Sequence, residues 1–161
     1  MPKRYSKAEW ERFLRGRRVA VLGTISQDGA PVLTPIWYLY RDSQILMRTG
    51  HLSVKARNIA RDPHVSVCIQ DERPPYASVT VYGNALIEPA REGLGAEIAK
   101  HYLGAIGAAA YLRAAREAIE QSEEITVVIT PERVLTQDFS PETPWFGKMW
   151  LVLKRALPPW M

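Results

Sequence analysis

With 161 residues, 47% of them hydrophobic, and a formal net charge of +4 from 21 basic and 17 acidic side chains, the chain is sized for one domain; at this length roughly 70% of the unfolded surface can be buried in a single core. The mild positive excess suits an anionic small molecule, while no basic stripe interleaved with aromatics points to nucleic acid and no apolar run is long enough to span a membrane. The charged stretch Met1 to Arg18 lacks the apolar segment of a secretion signal, the single Cys68 excludes an internal disulfide, and His51, His64 and His101 stand apart with no second ligand at metal spacing, so a cytoplasmic protein without a metal site is expected.

Ser6-Lys7-Ala8-Glu9 is a capping box ahead of Trp10, Phe13 and Leu14, which predicts an N-terminal helix within residues 1–17. Arg18 to Ser26 is apolar on both alternating faces and reads as a strand buried on both sides, and Asp28-Gly29 marks a hairpin turn after it. Pro31 to Tyr40 is the partner strand. Its Pro35 has no N–H for a ladder, which predicts a bulge or a sheet edge. Main chain exposed there, flanked by Thr34, Ile36 and Trp37, can hydrogen-bond a flat polar ring; an edge strand protected from aggregation by its proline is the competing reading.

The next strand, Gln44 to Thr49, runs through Arg48-Thr49-Gly50 into a short helix that Ser53 can cap and that Arg61-Asp62-Pro63 ends. Backbone N–H groups and the positive dipole end at that helix start favour a phosphate, and Arg48 and Lys55 are near enough in sequence to add charge. A solvated helix face carrying Arg48, Lys55, Arg57 and Arg61 is the alternative reading of the same charges. Strands over His64 to Gln70 and Tyr76 to Glu88 follow, the second with Val79, Val81, Ala85 and Ile87 on one face and a bend at Gly83. Ala90 to Gln121 reads as two helices separated by Gly104 to Gly107, and Glu124 to Asp138 as the last strand. The tail, Phe139 to Met161, carries Trp145, Trp150 and Trp160 with Lys148, Lys154 and Arg155, and is expected to pack over the body of the protein or over a second subunit.

Six strands in mostly antiparallel succession with peripheral helices predict a mainly β protein, a small split or closed barrel: one domain over residues 1–161, with a helix at 1–17, the barrel at 18–138 and the tail at 139–161. The chain resembles the pyridoxamine 5′-phosphate oxidase-like, FMN-binding split-barrel superfamily, and most closely its deazaflavin (coenzyme F-420)-dependent oxidoreductase branch. The residues that carry the resemblance are Gly23-Thr24 before the hairpin, Thr34-Pro35-Ile36-Trp37, and Arg48-Thr49-Gly50 through Ser53-Val54-Lys55-Ala56-Arg57-Asn58-Ile59 to Asp62-Pro63. The resemblance implies that Arg48, Ser53 and Lys55 hold the cofactor phosphate with Arg57 and Asn58 nearby, that Thr49 also binds the cofactor, and that Thr34 to Trp37 lie against the tricyclic ring. It also implies a homodimer with cofactor sites between subunits, completed by Tyr76, Ser78 or the Trp145 region of the other chain. The expected activity is hydride transfer between reduced F-420 and an unsaturated organic substrate, with FMN as the alternative cofactor and a non-catalytic flavin- or haem-binding protein as the alternative class. Haem would need an axial ligand such as His51 or His64. No Arg-x-His element of the kind that grips substrate in the B6 oxidase follows Asp138, so the resemblance does not extend to vitamin B6 oxidation.

Overall fold

The structure, a computed structural model, describes residues 3–140 together with Met149, Val152 and Leu153. The expectations for the C-terminal tail, Trp145 included, lie outside the described residues. Helix α1 (Lys7–Leu14) precedes β1 (Ala20–Ile25), β2 (Pro31–Ile36), β3 (Tyr38–Arg41) and β4 (Gln44–Gly50). Helix α2 (Val54–Arg61) leads into β5 (His64–Asp71) and β6 (Ala77–Pro89), and α3 (Leu94–Ala114) with α4 (Arg116–Gln121) precedes β7 (Glu124–Asp138).

The strands pair antiparallel in the order β2, β1, β5, β6, β7, β4, β3. Strands β2 and β3 hold the two ends of that order yet are joined through Trp37 alone, so the sheet must curl until its edges meet there. The result is a barrel split between β2 and β3, with seven strands where six were expected. The expected strand Pro31 to Tyr40 is two strands: Ile36 still pairs with Ala20 on β1, whereas Tyr38 pairs with Met47 on β4. The change of partner falls just after Pro35, which cannot donate to a ladder.

One face of the sheet fills the barrel with Leu22, Tyr38, Ile45, Met47, Val67, Ile69, Val79, Val81, Val127 and Ile129, and α1 and α2 add Phe13, Leu14 and Ile59. Helix α1 is held by the Ser6–Glu9 capping box and by the Tyr38 hydroxyl, which donates to the Leu14 carbonyl at 2.8 Å. The opposite face of β4 and β7 packs Leu46 and Val128 on Leu94 and Ile98 of α3, with Trp37, Leu39 and Tyr102 at the border. Adjacent β4 residues therefore serve different layers, as a period of two requires. The bend expected at Gly83 is a bulge: the register shifts between Tyr82 and Gly83, and a Cβ at Gly83 would run into the Thr130 carbonyl. In the helical insert the expected break falls at Gly104 (φ 71°, ψ 178°), where two helices meet within the span of α3, and a second, unexpected break falls at Ala115.

Candidate functional site

At the start of α2, Ser53 takes the extended conformation of an N-cap (φ −65°, ψ 152°) and its hydroxyl oxygen accepts the Ala56 amide at 3.3 Å. The buried Thr49 hydroxyl donates to the same oxygen at 3.2 Å, which fixes the cap and leaves the Ser53 proton available. Among the described residues the amides of Val54 and Lys55 find no acceptor. The Lys55 side chain is half-buried with no carboxylate partner among the described residues, and burial alone holds its pKa below the ordinary lysine value.

The other α2 side chains divide by helical face. Asn58 is 4% exposed, and its amide donates to Thr24 on β1 at 3.0 Å, so it ties the helix to the barrel rather than standing free for a cofactor. Arg61 donates to the Ile25 main-chain carbonyl and reaches the Asn58 side-chain Oδ1 at 3.5 Å. Arg57 is exposed, on the outer face with Arg61, and has no partner among the described residues.

Arg48 does not face the same way as Thr49. Its side chain leaves the opposite face of β4 and pairs with Glu124 at the start of β7, both side chains being mostly buried. It lines a cavity of about 460 Å³ together with Pro35, Ile36 and Trp37, and with Gly95, Tyr111 and Glu124. Ser53 and Lys55 are not among the lining residues. The ring-side and phosphate-side predictions thus meet only in part: Arg48 joins the aromatic strand end, and its charge is answered by Glu124 instead of waiting at the helix start. Burial lowers the Arg48 pKa from its usual value, with Tyr111 opposing. Gly95 makes room for this guanidinium, since a Cβ there would overlap it.

Trp37 lies flat on Tyr102 at 4.8 Å between ring centroids and 6° between planes, and tilted against Tyr111 at 5.6 Å. The Tyr102 hydroxyl in turn donates to the Arg18 carbonyl at 2.7 Å and accepts the Tyr38 amide at 3.3 Å, so the indole plane is held in place from behind. Thr34 is half-buried in register with Leu22. Tyr76 (57% exposed) and the half-buried Ser78 lie at the far end of β6, where Ser78 pairs with Gln70 and Gln137. Glu88, at the other end of β6, is in register with Thr126 and hence with Arg48. Toward Arg48, ten residues of strand span roughly 33 Å, but through Gln70 and β1, Ser78 is level with Val19, two strands away; neither Tyr76 nor Ser78 lines the cavity. His51 faces Glu123 and His64 bonds Asp62 at 2.7 Å; neither lines the cavity.

Sequence reasoning missed Glu124, Tyr111 and Gly95. Their only sequence signal was the Gly93-Leu94-Gly95 run, which has no strand feeding it and reads as no nucleotide motif. The profile of the pyridoxamine 5′-phosphate oxidase family matches residues 6–138, which takes in α1 and all seven strands. The chain belongs to that family. Its barrel is accordingly that of flavin-binding oxidoreductases.

Among solved structures the chain is similar to the conserved hypothetical protein Rv2991 of Mycobacterium tuberculosis, at 29% identity and a TM-score of 0.72 over 88% of this chain and 90% of that one. It shares its fold with an F-420 reductase, at 20% identity and a TM-score of 0.58 over 84% and 98% of the two chains. A FAD-binding protein of Mesorhizobium loti shares it too, at 22% identity and a TM-score of 0.61 over 86% and 96%. No curated protein matches the sequence. Among the described residues no group of three or more His, Cys, Asp and Glu is placed to hold a metal, and no helix is long and apolar enough to cross a membrane.

Proposed function

We propose that the protein is an oxidoreductase that moves a hydride between reduced coenzyme F-420 and an unsaturated organic substrate. The observation that carries this reading is Lys55, a half-buried ammonium with no carboxylate against it, at a helix start whose first amides are unspent. A desolvated, unpaired cation costs stability, and an anion that binds there recovers it. This donor set fits a phosphodiester, which carries one negative charge: Lys55, the amides of Val54 and Lys55 and the Ser53 hydroxyl would hold it. The phosphomonoester of FMN carries up to two negative charges, and among the described residues of α2 the second would find Arg57, on the outer face of the helix. The F-420 reductase of the same fold adds weight to the deazaflavin choice.

When bound, the deazaflavin supplies the carbon that carries the hydride; the protein's share is binding, orientation and exclusion of water. The Thr34 to Trp37 strand end would lie against the ring, with the Trp37 plane held by Tyr102. Tyr76 and Ser78 do not line the cavity within one chain, and we propose a homodimer in which a second copy contributes them. The exposed Leu33 (68%), Leu52 (71%) and Val54 (51%) supply apolar surface for the contact.

The test is turnover of a panel of quinones, enones and nitroaromatics by the purified protein supplied with reduced F-420 or with reduced FMN. Turnover with F-420 is the expected result. Turnover with FMN alone gives the reaction to the flavin, and turnover with neither removes the enzymatic reading.

A further inference from the structure

The cavity behind β4 has walls of Val19, Pro35, Ile36 and Ile98, with Trp37 and Tyr111 as its aromatic rings; its charged feature is the pair Arg48–Glu124, with the Tyr111 hydroxyl acting on Arg48. The pair is unusual in being incompletely used. Arg48 presents five N–H donors and Glu124 two acceptor oxygens. Their contact engages the Arg48 Nη2 and the Glu124 Oε2, and no other described residue takes the remaining capacity of either group. Among the described residues neither group has a buried polar atom left without a partner, so the remaining capacity, Arg48 Nε and Glu124 Oε1 in particular, is open to the cavity, where matching ligand groups can replace water. The pair is neutral as a unit. An anionic ligand would meet the Glu124 carboxylate, and a cationic one the guanidinium, so charge favours neither.

We infer that this pair is a recognition edge for a neutral planar ring that carries a carbonyl beside an N–H, as in a lactam, an imide or a pyrimidinedione. The carbonyl accepts from Arg48 and the N–H donates to Glu124, which completes both groups without adding charge, while Trp37 and Tyr111 give a flat ring its apolar contacts. A cavity of about 460 Å³ is within the range of small-molecule sites. Gly95 is a positioning residue in this scheme: its missing Cβ lets Nη1 and the guanidinium plane lie against α3, which fixes the group beside the cavity.

Two sources offer this chemistry, the pyrimidinedione edge of a flavin or deazaflavin and a substrate with a cyclic amide. Recognition of the edge stands apart from the proposed reaction; only the choice between sources rests on it. The experiment is calorimetric titration of the full chain with 2-quinolinone and with coumarin, a lactam and a lactone of nearly the same shape that differ in the N–H. The expected result is a preference for the lactam of roughly tenfold to hundredfold, the worth of one hydrogen bond to a charged group. In the double variant Arg48→Met with Glu124→Leu, which exchanges the buried pair for apolar residues of similar volume and is expected to stay folded, the preference should vanish. Equal affinity of wild type for the two rings, a preference that survives in the folded double variant, or no binding of either ring at millimolar concentration overturns the inference. Repeating the titration with saturating FMN or F-420 separates the sources: competition gives the edge to the cofactor ring, and simultaneous binding gives it to the substrate. The lactam preference without cofactor is measured whether or not either cofactor binds, so failure of the reaction and failure of the edge remain distinct.

Discussion

Lys55→Met is the substitution that most cleanly separates binding from folding. Methionine keeps an unbranched apolar stem of similar length and removes only the ammonium, which in the folded protein is half-buried without a carboxylate partner among the described residues. The variant should therefore unfold at the same temperature as wild type or a higher one, because a desolvated charge has been deleted and nothing was bonded to it. Affinity for the phosphate-bearing cofactor should fall by roughly tenfold to hundredfold, since a charge-assisted hydrogen bond contributes about 1.5–3 kcal/mol. The sign of the pH dependence follows from the lowered pKa. The folded protein releases this proton before the unfolded chain does, so over that window the unfolded state holds more protons and wild-type stability rises with pH; cofactor affinity falls over the same window. Both trends should be absent in Lys55→Met. The measurements are thermal unfolding and equilibrium titration across alkaline pH. A variant that loses stability yet binds as tightly as wild type would refute the reasoning, because it would make Lys55 a structural side chain.

Asn58→Ala should cost about 1–3 kcal/mol in denaturant unfolding, because it leaves the buried Thr24 hydroxyl without its partner, and cofactor affinity measured on the folded fraction should hold. Tyr102, whose pKa burial pushes from 10.0 up to about 12, stays neutral in the folded protein while the unfolded chain ionises. Its contribution is intact below pH 10 and is lost as pH rises to about 12, so Tyr102→Phe should make alkaline unfolding less steep over that interval; an unchanged slope would contradict the assignment. Sedimentation should find a dimer at micromolar concentration, and a monomer that still binds cofactor tightly would remove the second copy from the site.

The features that local chemistry controls were readable in the sequence. The last strand spans Glu124–Asp138 as expected, Ser53 caps α2, the Ser6–Glu9 box caps α1, and Gly29 turns the first hairpin with φ 84°. Each depends on residues within a few positions of one another. What was not readable depends on the curl of the sheet. Pro35 announced an irregularity, but only the meeting of the two sheet edges makes Trp37 a junction between strands. Arg48 and Glu124 lie on β4 and β7, strands far apart in sequence, and no periodicity links them. Arg48 thus looked like a free cation. Asn58 shares the buried face of α2 with Ala56 and Ile59, a placement that its spacing allowed but that the phosphate motif around it obscured. The break at Ala115 had no signal, since Ala114 and Ala115 both favour helix.

The claim on which the proposed reaction rests is that the start of α2 seats one anionic charge of a deazaflavin coenzyme. The direct measurement is the dissociation constant of F-420 and of FMN for the same preparation, at low and at physiological salt. F-420 should bind more tightly at both, with an affinity that weakens as salt screens its extended negative tail from Arg57, where exposed pairs contribute only about 0.2–1 kcal/mol each. Tighter binding of FMN at physiological salt, with Arg57→Ala changing the affinity of neither cofactor, would contradict it and make the protein an FMN enzyme with a solvated helix face.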